Sequence, residues 1–166
     1  DASGALTKST VFKDATVRLV KPTNLTVKKS ETIYQGTKGA EKADFTNSYK
    51  ANGIDIDTKT TYFYHIQGND FADAASANAD SYMTRSNTIR SQDSSTKQIS
   101  YYIGTEPGEE QIDWSQEYNY NGTLVKTTTV YDHDASGALT KSTVFKDATV
   151  RLVKPTTLTV KQSATI

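Results

Sequence analysis

Residues 134–166 read DASGALTKSTVFKDATVRLVKPTTLTVKQSATI, and residues 1–33 read DASGALTKSTVFKDATVRLVKPTNLTVKKSETI. The two segments lie 133 positions apart and differ at three positions only: Asn24 against Thr157, Lys29 against Gln162, and Glu31 against Ala164. Near-identical sequence at a fixed spacing indicates a repeat array. We therefore expect the chain to be a window on a longer tandem polymer with a period of 133 residues.

The repeated segment predicts three strands in each copy. In the first copy, residues 5–13 form one strand after a turn, and residues 15–21 form a second with alternating side chains. Pro22 ends the second strand, because proline cannot donate to a strand ladder. Residues 25–33 alternate apolar with polar positions, which is typical of a strand with one face in water.

The 100 residues between the copies are also rich in strand signals. Residues 34–47 predict a polar connection, whereas residues 69–83 predict either a short alanine-rich helix capped by Asn69 or Asp70, or an ordered loop. Pro107-Gly108 predicts a type II turn, and Asn121-Gly122 predicts a two-residue type I′ hairpin. The other expected strands are 54–57, 60–67, 84–90, 97–103, 111–114, 116–120 and 124–131.

These elements predict an all-β fold, either an antiparallel sandwich or a β-rich meander, with a short helix near 70–80 as the one exception. We expect residues 1–33 to pair with a preceding unit and residues 34–133 to form the main β domain. Residues 134–166 would begin the next repeat and complete the sheet of 34–133. The duplication thus favours an architectural role.

Composition excludes several classes of protein. The net charge is zero, with 19 basic and 19 acidic residues and no run of one sign, so neither nucleic acid nor an anionic membrane surface is an expected partner. No apolar run is long enough to span a bilayer, and we expect no membrane insertion in this segment. The absence of cysteine excludes disulfides and thiolate chemistry.

Two stretches share a hairpin pattern. In YNYNGTL (118–124) and YDHDASGAL (131–139), an aromatic residue precedes a polar turn and a glycine, and a leucine follows two positions later. The pattern resembles the YD repeats of bacterial RHS-type proteins, in which such segments build successive hairpins. That resemblance covers only this part of the chain, and it implies many more short YD hairpins in the whole protein.

Residues 132–137, DHDASG, also match the opening of a calcium-binding loop. Asp132, Asp134 and Ser136 are the candidate metal ligands, but Thr143 stands where the loop needs a bidentate glutamate. A polar hairpin turn is the alternative, and no other cofactor is indicated. His65 and His133 lack partner residues for catalysis, so we expect no enzymatic activity.

High serine and threonine content, few apolar residues, no cysteine and near-identical repeats together resemble bacterial extracellular repeat proteins, such as adhesin stalks and surface filaments. We expect a structural repeat whose partners are identical units or chains, located outside the cell or at its surface. The expected inter-unit strand residues are Leu139, Val144, Val150, Leu152, Leu158, Val160 and Ile166.

The alternative is an adhesin module that binds carbohydrate or another surface. Aromatic rings stack well on sugar rings, and the chain has ten tyrosines. The residues expected to form this face are Tyr62, Tyr64, Tyr101, Tyr102, Tyr118 and Tyr120.

Overall fold

A computed structural model describes residues 2–166 of the protein. They form one antiparallel sheet of eleven strands, and none of them lies in a helix. The strands are β1 (Lys8–Phe12), β2 (Lys28–Gln35), β3 (Lys42–Tyr49), β4 (Ile56–Ile66), β5 (Asn69–Ala72), β6 (Met83–Arg90), β7 (Thr96–Ile103), β8 (Gln111–Tyr118), β9 (Val125–His133), β10 (Leu139–Lys146) and β11 (Lys161–Thr165).

The sheet is a meander. Apart from β5, which pairs only with the end of β4, each strand lies beside its neighbours in the sequence, with β1 and β11 at the two edges. The all-β meander expected from the sequence is therefore confirmed. The sandwich alternative is wrong for residues 2–166, because all of their strands belong to one sheet.

One face of the sheet is lined by hydroxyl groups, and we call it the hydroxyl face. Directly opposed residues on neighbouring strands share a face, and they interact there. The hydroxyls of Thr32 and Thr46 are 2.8 Å apart, and those of Thr60 and Thr88 are also 2.8 Å apart. Such pairs stabilise strand contacts without an apolar second layer.

The other face carries the largest fully buried side chains of the described residues, those of Gln116 and Thr128. Gln116 of β8 lies opposite Thr128 of β9, which lies opposite Phe145 of β10. Gln116 is 1 % exposed and Thr128 is fully buried. Trp114, two residues before Gln116, stacks on Tyr101 with 4.1 Å between ring centroids. Burial is thus concentrated around the start of the second copy.

The helix expected near residues 70–80 is not formed. Asn69 to Ala72 make the short strand β5, and turns follow. Asp73 Oδ1 accepts the N–H of Ser76 at 2.9 Å, and the Asn78 side chain accepts the N–H of Asp80 at 3.0 Å. Asp and Asn side chains that bond nearby N–H groups compete with helix formation. These local bonds outweigh the helix propensity of the alanines.

Two further expectations about elements are wrong. Residues 34–47 are not a connection, because they include the end of β2 and most of β3. Residues 15–21 are not a strand, and neither are their equivalents 148–154. In each copy an aspartate side chain accepts the N–H two residues later, at 2.9 Å and 3.1 Å, which bends the backbone.

The two expected turns have different outcomes. The type II turn at Pro107-Gly108 is confirmed, since Glu109 N–H donates to Glu106 O at 3.1 Å and Gly108 has φ of 88°. The two-residue turn at Asn121-Gly122 is wrong. A type I′ turn needs positive φ at both residues, but of these two only Gly122 has it, and the loop runs from residue 119 to 124.

Candidate junction between repeat copies

The two copies of the repeated segment fold in the same way. Ser9 lies opposite Thr32 in the first copy, and the equivalent Ser142 lies opposite Thr165 in the second. A register shift precedes the phenylalanine of each copy. The three substituted positions therefore leave the strand register unchanged.

Each copy joins its two strands by a long loop that we call an arch. The first arch is residues 14–27 and the second arch is residues 147–160. The N–H just before each arch donates to the carbonyl at the end of that arch, at 2.8 Å in both copies. Both arches are thus closed at the base by the same backbone bond.

An ion pair holds the start of each arch. Arg18 Nε lies 2.6 Å from Asp14 Oδ2 in the first arch, and Arg151 Nε lies 2.7 Å from Asp147 Oδ2 in the second. Because the pair and the base are present in both copies, the arch sequence itself encodes this local shape.

The second arch packs on the face that carries Gln116, which we call the arch face. Gln116 Nε2 donates to Thr149 O at 2.8 Å and to Thr128 Oγ1 at 2.9 Å. Gln116 Oε1 accepts the N–H of Arg151 at 2.9 Å. The Gln116 amide therefore uses both its donor and its acceptor atoms to hold the second arch on β8 and β9.

Asp147 is the charged group of this contact. Thr128 Oγ1 donates to Asp147 Oδ2 at 2.9 Å, and the Asp147 side chain is only 5 % exposed. Burial acts to raise the pKa of Asp147, but the bonds from Arg151, Thr149 and Thr128 outweigh it and hold the pKa below its usual value. The carboxylate is buried yet charged because it is fully partnered.

A second ion pair fixes the far part of the second arch. Tyr101 and Tyr102 oppose Trp114 and Ile112, so Asp113 is the extra residue of a β-bulge in β8. Lys154 Nζ lies 2.6 Å from Asp113 Oδ1. The bulge thus presents a carboxylate to the arch that a regular strand would not place there.

The first arch has the same internal bonds, but no hydrogen bond or ion pair joins it to a strand among residues 2–166. The Asp14 and Arg18 side chains bond only to each other and to Thr16 there. Val17 is 95 % exposed, against 60 % for the equivalent Val150. The same sequence therefore occupies two environments in one chain.

The strands next to the arches differ in the same manner. β10 pairs with β9 over seven residue pairs, from Leu139 with His133 to Lys146 with Thr127. Lys141 Nζ also lies 3.5 Å from Asp132 Oδ2 of β9. The equivalent edge of β1 has no partner strand among residues 2–166.

Most of the seven residues expected to form an inter-unit strand lie outside the strands. Only Leu139 and Val144 belong to a strand, β10, and Leu139 is exposed. The expectation of a strand is wrong for the other five, because the second arch leaves the strand ladder and folds over the arch face, and residue 166 follows β11. These five are Val150, Leu152, Leu158, Val160 and Ile166. The second arch is instead held on β7–β9 by hydrogen bonds of polar side chains, and not by the apolar residues that were expected.

Two of the three candidate metal ligands, Asp134 and Ser136, form a turn. Asp134 Oδ1 accepts the N–H and the hydroxyl of Ser136, at 2.8 Å and 2.6 Å, and the N–H of Ala138 at 3.0 Å. These bonds, led by the Ser136 side chain, lower the pKa of Asp134. Asp132 faces Lys141 instead. Among residues 2–166, no three His, Asp or Glu side chains are grouped as metal ligands. A calcium site remains a sequence-based prediction.

The expected tyrosine face does not exist as one surface. Tyr62 and Tyr102 lie on the hydroxyl face, whereas Tyr101 lies on the arch face because its register partner is Trp114. Tyr64 and Tyr118 are buried, and Tyr64 OH donates to Ala43 O at 2.8 Å. Burial raises the pKa of four of these phenols: Tyr64, Tyr101, Tyr102 and Tyr118. Tyr120, at 67 % exposure, lies in the loop after β8.

Sequence reasoning missed the residues that form the junction. Gln116 and Thr128 lie in strands where polar side chains normally face water, so they carry no burial signal of their own. One signal was available in the repeat. Asp-Ala-Thr-Val-Arg occurs unchanged in both copies, at 14–18 and 147–151, with opposite charges four residues apart.

Comparisons with protein-family models, with curated proteins and with solved structures gave no match. Residues 2–166 contain no helix with the length and hydropathy of a membrane span.

Proposed function

We propose that the protein is a structural repeat of an extracellular filament or cell-surface stalk, and that strand complementation joins successive units into one sheet. The pairing of β9 with β10 is the observation that carries this proposal. β10 has the sequence of β1, so the edge that β9 fills on β10 is the edge that β1 leaves unpaired within residues 2–166. A preceding unit would supply a β9 for it.

The geometry gives the array a defined axial repeat. One period contributes β1–β4 and β6–β9 to the path of the sheet, which is eight strands. At about 4.8 Å between strands, each period would add about 38 Å along the sheet. Identical units are the partners in this proposal, and the polar exterior, rich in threonine, serine and lysine, would keep the sheet soluble. A bacterial surface location follows from the resemblance in composition.

The proposal predicts that units stabilise one another. The test compares urea unfolding curves of chains with one, two and three periods of 133 residues, each chain ending with the 33-residue copy. In a continuous sheet every added unit adds a junction, so we expect the unfolding midpoint to rise with the number of units, as in other linear repeat proteins.

Solution scattering on the same chains provides an independent measurement, with an expected increase in length of about 38 Å per unit. Units that fold separately would give the same urea midpoint in all three chains, and this result would exclude the continuous sheet. Accessibility of the protein to added protease on intact source cells would test its location.

A further inference from the structure

We infer that the first arch is a docking surface for another copy of this unit, and that it binds the arch face of β7–β9 in the preceding unit. This inference depends on the proposed function, to which it adds a specific interface. The partner surface is defined by four side chains, Tyr101, Asp113, Gln116 and Thr128, which in this chain hold the second arch.

The second arch is the template for the interface. Its contacts come from Asp147, Arg151, Lys154 and the carbonyl of Thr149. Each has an identical equivalent in the first arch, namely Asp14, Arg18, Lys21 and Thr16. All groups needed to bind the arch face are therefore present in the first arch.

The first arch is already in a shape that can bind. Its base hydrogen bond and its ion pair match those of the second arch to within 0.1 Å. A binding surface that is formed before association loses less conformational entropy when it binds. Docking would move Asp14, whose side chain is 22 % exposed, to the environment of Asp147, whose side chain is 5 % exposed.

The interface is directional. The first arch lies at the β1 edge of the sheet, whereas the arch face that it fits lies on β7–β9 of another unit. Such head-to-tail contacts extend into an open chain of units and do not close into a pair. Within this chain the arch face is already filled by the second arch, so only its first arch is free to bind.

The duplicated arginine supplies a matched pair of variants for the test. Arg18→Gln and Arg151→Gln would be made in the 166-residue chain, and again in a longer chain with a second copy of residues 34–133 placed before residue 1. In the 166-residue chain, Arg151→Gln should lower Tm by about 4 °C or more, because it leaves the buried Asp147 carboxylate without its counter-charge, and Arg18→Gln should leave Tm within about 1 °C.

In the longer chain, the first arch gains an arch face, so Arg18→Gln should lower Tm as much as Arg151→Gln does. Amide hydrogen exchange on the two unsubstituted chains gives a second readout, with slower exchange expected in residues 14–27 of the longer chain. This readout holds even if a variant fails to fold.

The outcomes separate the two proposals. In one outcome the β1 amides become protected in the longer chain, residues 14–27 do not, and Arg18→Gln leaves Tm unchanged. The sheet is then continuous, and the proposed docking of the first arch is wrong. If the β1 amides exchange equally fast in both chains, the continuous sheet fails, and the docking surface fails with it.

Discussion

Gln116 shows how a single polar residue can organise a surface that has little apolar material. The residue is 1 % exposed, and its side-chain amide bonds to two backbone groups of the second arch and to Thr128. The Thr128 hydroxyl in turn donates a hydrogen bond to Asp147. Buried polar networks of this kind favour one arrangement over others, because any shift of the arch leaves several groups unpaired.

We predict that Gln116→Leu destabilises the 166-residue chain by roughly 2–3 kcal/mol, although leucine has a similar size and is apolar. The substitution leaves Thr149 O and the N–H of Arg151 without their partner. Urea unfolding followed by the fluorescence of Trp114 would measure the loss.

Gln98→Leu is the matched control. Gln98 is adjacent to Ile99, the register partner of Gln116, so its side chain lies on the opposite face, where it donates to Ser100 Oγ at 3.1 Å. Losing that one bond should cost at most about 1 kcal/mol. Equal losses from the two substitutions would show that Gln116 has no special role in holding the arch.

At the scale of elements, the second arch should be sensitive to acid. The pKa of Asp147 is lower in the folded protein than its ordinary value of 3.8. A lowered pKa means that the carboxylate adds stability above the ordinary value, and that this stability is lost as the pH falls through the lowered one. We therefore predict that the arch leaves the sheet below about pH 4.

Trp114 is a suitable probe of this release. It is the only tryptophan, it is 3 % exposed, and it stacks on Tyr101, whose hydroxyl is 3.5 Å from Arg151 O in the arch. Its emission should shift to longer wavelength between pH 5 and pH 2. Asp147→Asn should remove most of that shift, and Asp14→Asn should retain it. An acid transition that is unchanged in Asp147→Asn would assign it to other carboxylates.

The elements also show what a sequence can and cannot predict here. β4 was expected because Thr60 to Gln67 is rich in tyrosine and β-branched residues, and the structure has a strand there. β3 was missed because KADFTNSY has few apolar residues, and its strand contacts include a bond between the Thr46 and Tyr62 hydroxyls at 3.0 Å. Hydroxyl pairing across strands leaves no apolar periodicity in the sequence.

The arches were missed for a related reason. In TVRLVK (149–154) apolar and polar side chains alternate as they do in a strand. The preceding Asp147, however, accepts the N–H of Thr149 and pairs with Arg151, and the alternation does not reveal these bonds. The partners of the second arch lie 19 to 50 residues away. A sequence alone could therefore indicate that the duplicated segment matters, but not that its contacts are polar or where they lie.

At the scale of the whole molecule, a sheet without a second layer depends on its neighbours for stability. Many large apolar side chains are exposed, including Leu19 at 100 %, and the buried residues are concentrated where the second copy meets β7–β9. An open sheet of this kind gains stability from each strand added at an edge. Wherever a strand is removed, the sheet exposes unpaired backbone N–H and C=O groups that can pair with another chain.

We predict that a chain ending at residue 133 is less stable and associates head to tail. Removing residues 134–166 leaves the β9 edge unpaired and takes the second arch away from Gln116 and Thr128, while residues 1–33 still repeat the sequence of the missing segment. The first copy of one molecule should then bind β9 of the next, because both the edge and the arch face are complementary to it.

Sedimentation velocity of the chain that ends at residue 133 should show oligomers that grow with concentration, and thermal unfolding should show a lower Tm at low concentration. A peptide of residues 134–166 added in excess should fill the vacant site, restore the monomer and raise Tm, whereas the same peptide with Asp147→Asn and Arg151→Gln should do so weakly. A shortened chain that stays monomeric with the Tm of the 166-residue chain would contradict the junction itself, because it would mean that β9 needs no partner.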